Sequence, residues 1–146
     1  MNEKRRELLL QSASSLLEPD ERVELTTLAN VGSVSVKKKV LTAAVAGIAT
    51  GGLLMVNVKP RTMYVVLTDQ RILLFDGSTA SGRPGQHLAT LIRDRVTTSA
   101  PKSGMFGLTQ VIQLSIAGEE RGLKVVFPKP EKAAGLQFAA ALPPSA

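Results

Sequence analysis

Two runs dense in branched and aromatic residues, TMYVVLT (62–68) and RILLFD (71–76), are separated only by Asp69 and Gln70. Such residues favour a pleated, half-buried backbone, and so short a connection predicts an antiparallel hairpin. Downstream, GSTASGRPG (77–85) is a Gly/Ser/Pro loop, and HLATLIRD (87–94) and VTTSA (96–100) read as two further strands. PKSGMFG (101–107) reads as a second loop, with Met105 and Phe106 between glycines. TQVIQLSIA (109–117) alternates, Ile112, Leu114 and Ile116 on one face and Gln113 and Ser115 on the other. After a charged turn, GEERG (118–122), LKVVF (123–127) turns Leu123, Val125 and Phe127 inward. PEKAAGLQFAAAL (130–142) then predicts a helix with an apolar stripe of Ala134, Leu136, Phe138, Ala141 and Leu142, stopped by Pro143 and Pro144.

Upstream, Leu9, Leu10, Ala13, Leu16 and Leu17 recur at helical spacing over residues 3–17, and Pro19 with Asp20 ends the run. RVELTTLANV (22–31) puts Val23, Leu25, Thr27, Ala29 and Val31 on one face of a strand. The expected organisation is an N-terminal helix (1–19), a β domain (20–142) carrying an apolar insert (38–58), and a short tail (143–146).

This order, and the hairpin YVVLTDQRILLFD (64–76) above all, resembles the bacterial PH-like (pleckstrin-homology-like) domains, whose hairpins read similarly to aVTDRRLLlf. The resemblance covers residues 20–142 and implies a mainly β, seven-strand bent sandwich or partly open barrel, closed at one end by the C-terminal helix. It also implies a binding module for lipids or protein segments, without a catalytic site. The residues of the turn, Thr68, Asp69, Gln70 and Arg71, have a structural explanation. Thr and Asp side chains bond nearby backbone in turns, and Arg71 is placed to pair with Asp69.

The insert lies within KKKVLTAAVAGIATGGLLMVNVK (37–59): three lysines, nineteen uncharged residues, then Lys59. At about 1.5 Å per residue a helix of that length would reach about 28 Å, nearly a hydrocarbon core. Three glycines, two threonines and Asn57 offset its nine large apolar residues. Ala43, Gly47 and Gly51 have the small-xxx-small spacing of closely packed helices. Three readings stay open: a membrane-dipping loop turned at Gly51-Gly52, a segment packed on the sandwich or on another subunit, and a single span. The single span would place strand 22–31 across the membrane from its sheet.

At 146 residues, 44% hydrophobic and 21% charged, the chain suits one globular domain. It has no cysteine, so disulfide and thiolate chemistry are excluded. MNEKRRELLLQSASS is too acidic and its apolar run too short for a signal peptide, so a cytoplasmic location is expected, with peripheral attachment to the inner face of the membrane in the lipid reading. The net charge of +6 is spread evenly, yet no acid falls between Glu24 and Asp69, where Lys37, Lys38, Lys39, Lys59 and Arg61 lie. That local field favours phosphate-bearing partners, although a basic loop also serves solubility.

No catalytic, metal or cofactor site is expected. His87 is the single histidine, Glu119-Glu120 sit in a charged turn, no G-x-S-x-G or G-x-G-x-x-G occurs, and GIATGG lacks the lysine of a P-loop. With five aromatics in all, Phe106 is the only one outside expected strands and the last helix, poor material for binding nucleic acid. The expected function is a non-catalytic module bound peripherally to an anionic lipid surface. Lys37, Lys38, Lys39, Lys59 and Arg61 would meet headgroups, and Leu53, Leu54, Met55 and Phe106 would enter the interface. The alternative is a protein-interaction or homo-oligomer module in which Ala43, Gly47, Gly51 and the apolar insert bury against a partner.

Overall fold

A computed structural model describes residues 1–35 and 59–145. Helix α1 (Glu3–Ser14) is capped by Asn2, whose side chain accepts from the Arg5 backbone N–H at 2.8 Å. Among the described residues eight strands follow: β1 (Val23–Ser35), β2 (Arg61–Thr68), β3 (Arg71–Asp76), β4 (His87–Ile92), β5 (Val96–Thr98), β6 (Lys102–Gly104), β7 (Thr109–Ile116) and β8 (Arg121–Phe127). A 3-10 turn, Lys129–Glu131, leads into helix α2 (Lys132–Ala140).

The strands form one antiparallel sheet in the order β4-β3-β2-β1-β8-β7-β5, with short β6 paired to β7. Strand β1 joins its two halves. Residues 23–31 pair with β2, and residues 30–35 pair with β8. The sheet curls into a half-barrel around an inner core that includes Val31, Val65, Leu74, Leu91, Ile112, Leu123 and Phe127. Helix α2 closes this core, with the Phe138 ring 6.0 Å from that of Phe127. This is the mainly β, helix-capped architecture that the hairpin resemblance implies.

The outer face of the first hairpin is covered as well. Leu9 and Ala13 of α1, followed by Leu16 and Leu17, pack on Tyr64, Val66, Leu73 and Phe75. Strands β2 and β3 are therefore buried on both faces, which is why they read as near-continuous apolar runs rather than as alternating ones.

Several sequence boundaries need correction. Strand β1 continues four residues beyond Val31 because β8 takes over as its partner. Its register shifts between Val23 and Leu25, so Val23 packs with the α1 cluster while Leu25 stays on the inner side. Residues 93–95 are a 3-10 turn rather than the end of a strand, and β5 stops at Thr98. The 101–107 loop contains β6. In α2 the buried residues are Gly135, Phe138 and Ala139, while Leu136 is exposed.

Candidate functional site

The Thr68–Arg71 turn is an internal fastening. Arg71 reaches Glu21, fifty positions away, rather than Asp69: Nη2 donates to Glu21 Oε1 at 2.5 Å and Nε to Oε2 at 3.0 Å. Nη2 also donates to the Leu16 carbonyl at 2.6 Å. The Thr68 hydroxyl donates to Glu21 Oε2 and accepts from the Gln70 and Arg71 backbone N–H groups. Asp69 Oδ1 accepts from the Arg22 N–H at 3.0 Å. The Glu21 side chain has no solvent exposure. Its hydrogen bonds, that from Arg71 first, outweigh burial and lower its pKa from 4.5 to about 2. The same bond raises Arg71. The knot locks the segment after α1 onto the β2–β3 turn, and Arg71 Nε and Nη2 are both engaged within the protein. Next to it, Arg93 donates to Glu24 Oε1, the Thr68 carbonyl and the Ala141 carbonyl, tying the end of α2 to this corner.

The opposite end carries the roots of the insert. Val31 pairs with Arg61, and Ser35 pairs with Arg121 at the start of β8, so the chain leaves β1 and re-enters β2 side by side. Both flanks of the insert therefore stand at one end of adjacent antiparallel strands. Gly32 has a steric reason here: a Cβ would stand 2.8 Å from Pro60 Cγ. Asn30, Gly32, Ser33, Val34, Pro60, Lys124 and Val126 line an open groove of about 330 Å³ beside the roots. Lys59 and Lys124 are exposed. Arg61 is committed to Asp76 at 3.0 Å. Asp76 is lowered to about 2, first by the Ser78 hydroxyl, then by the Ser78 N–H and Arg61. In the β7–β8 turn, burial raises Glu119. The expected site residues Lys37, Lys38, Lys39, Ala43, Gly47, Gly51, Leu53, Leu54 and Met55 lie outside the described residues.

Phe106 is elsewhere. It tips the β6–β7 hairpin, at the end of β8 remote from the insert; Gln110 pairs with Phe127 there, whereas Ser35 pairs with Arg121. Six residue steps along β8 separate those levels by about 20 Å. Met105 (φ 46°), Phe106 (φ 57°) and Gly107 (φ 85°) are all left-handed, closed by the Gly107 N–H to the Gly104 carbonyl at 3.1 Å. Asn and Gly ordinarily occupy such positions, and Met or Phe there costs about 1 kcal/mol each. The sequence named Phe106, but it missed Lys124 on the outward face of β8 and the lysines around the hairpin. Lys124, between inward Leu123 and Val125, was the legible one.

His87 is a local contact, with Nε2 2.8 Å from Thr90 Oγ1 and its ring 5.3 Å from Phe75. Among the described residues, no group of three His, Asp or Glu side chains could hold a metal, and no helix is long and apolar enough to cross a membrane.

No family model matches the chain, and no curated protein matches it. Among solved structures, it is similar to the apo structure of the activated truncation of Vav1, with a TM-score of 0.56 and 12% identity, covering 95% of this chain and 33% of that one. The chain thus spans about a third of that structure's length, and at such identity the likeness concerns fold alone. It also matches the Vps36 N-terminal PH domain (TM-score 0.47, 20% identity, 86% of this chain and 78% of that one). A third match is the hSac2 domain of the human phosphoinositide phosphatase Sac2 (0.45, 12%, 95% and 78%). The curled seven-strand path, with a C-terminal helix over its inner core, is the PH-like fold.

Proposed function

We propose that this protein is a non-catalytic binding module of the bacterial PH-like type, docked peripherally on an anionic membrane surface at the cytoplasmic side. The observation that supports this reading is the placement of the insert. An apolar segment flanked by Lys37, Lys38, Lys39 and Lys59 connects the neighbouring ends of β1 and β2 in a PH-like sheet, beside exposed Lys124. Cations there draw the domain to anionic headgroups, at about 1 kcal/mol each. Arg61 contributes less, because Asp76 already neutralises it.

Reversing Lys37, Lys38 and Lys39 to glutamate should therefore lower affinity for phosphatidylserine-containing vesicles by about a hundred-fold or more, read by co-sedimentation. Undiminished binding would overturn the reading. Absent vesicle binding together with concentration-dependent self-association would favour an assembly module with the insert at a subunit interface.

A further inference from the structure

We propose that the β6–β7 hairpin tip is a second membrane contact, separate from the insert, in which Met105, Phe106 and Leu108 enter the bilayer interface while Lys102, Lys129 and Lys132 meet anionic headgroups. The proposal rests on the membrane reading above and adds a site to it.

The large hydrophobic side chains exposed among the described residues are Met105 at 70%, Phe106 at 107%, Leu108 at 48% and Leu136 at 46%. All four belong to one region. Lys132 Nζ donates to the Gly107 carbonyl at 2.9 Å, which fixes the first turn of α2 against the hairpin. Leu136 lies one helical turn on, on the same face as Lys132. Lys102 stands two residues before the turn. Gln110 at the base of the hairpin pairs with Phe127, and exposed Lys129 follows two residues later in the 3-10 turn.

Among the described residues, Lys102, Lys129 and Lys132 form no salt bridge. Between Asp94 and Glu119, and again after Glu120, the only acid is Glu131. Glu131 is buried, with one oxygen on the Met1 amino group and the other on the Thr27 hydroxyl. The result is an apolar point ringed by cations. Its shape selects the partner: a side chain projecting fully from a tight turn fits a fluid interface, whereas a protein partner would need a matching pocket. The left-handed backbone of Met105 and Phe106 supports the same conclusion, because a strained conformation holds both side chains outward.

The chain has no tryptophan, so Phe106→Trp supplies a reporter at this one position. Vesicles of phosphatidylcholine with phosphatidylserine are added, and binding is followed by co-sedimentation and by Trp emission. The expected result is normal binding, a blue shift, and quenching by lipids brominated along the acyl chain. Phe106→Asp, at an exposed position, should fold as the wild type does by circular dichroism and bind at least ten-fold more weakly. Normal co-sedimentation with unshifted, unquenched emission overturns the hairpin contact and leaves the membrane reading standing. Wild-type protein that fails to co-sediment overturns both.

Discussion

Replacing Glu21 by glutamine should remove one main contribution to the acid sensitivity of this domain. In the native state Glu21 is fully buried and held by Arg71, Thr68 and the Glu18 N–H, which lower its pKa from 4.5 to about 2. That difference corresponds to at most about 3 kcal/mol of stability. Because the folded value lies below the unfolded one, the contribution is complete above pH 4.5 and is lost as the pH falls towards 2. Glutamine keeps the shape and can still accept from Thr68. It cannot accept both Arg71 donors, and it turns an amide N–H₂ group towards the guanidinium. Urea unfolding, followed by circular dichroism at neutral pH and again near pH 3, reads the difference. The variant should be about 2–3 kcal/mol less stable than the wild type at neutral pH, with the gap closing in acid. Asp76, also held at about 2, titrates in both proteins and cancels in the comparison. A gap that is negligible at neutral pH, or unchanged at pH 3, would refute the argument that Glu21 fastens α1 to the hairpin.

Gly135→Ala places a Cβ 2.6 Å from the Phe127 ring. Despite the roughly 1 kcal/mol that alanine usually gains in a helix, the variant should lose about 1–3 kcal/mol, and a raised melting temperature would contradict this packing. Glu119→Gln acts in the opposite sense. Burial raises the Glu119 pKa, and its Oε1 has no hydrogen-bond partner. The penalty develops as the pH rises above 4.5, so the glutamine variant should be the more stable at neutral pH and equal to the wild type in acid. Equal melting temperatures at pH 7 would contradict a burial penalty at Glu119.

The hairpin was legible because β2 and β3 combine strand-forming residues with a two-residue connection, both local signals. The inward faces of β7 and β8 were legible for the same reason: alternation is written into consecutive residues. What escaped the sequence depends on contacts between distant segments. Nothing near Arg71 announces Glu21 as its partner, whereas Asp69 stands two residues away. The shift at Val23–Leu25 turns one side chain over without altering the apolar pattern. In α2, Phe138 and Ala139 follow helical spacing from Gly135, but glycine carries no apolar signal; the expected stripe held the buried Phe138 and, just past the helix, Leu142, yet also took in exposed Leu136. Phe106 could be named from its loop. Its distance from the insert could not, since it depends on how β8 pairs with β1 at one end and with β7 at the other.

The membrane reading stands or falls on flotation of the unmodified protein with neutral and with phosphatidylserine-containing vesicles, at low and high salt. Charge-driven peripheral docking requires flotation with the anionic vesicles at low salt and release as salt screens the lysines. Protein that stays at the bottom of the gradient with both vesicle types at low salt would contradict it.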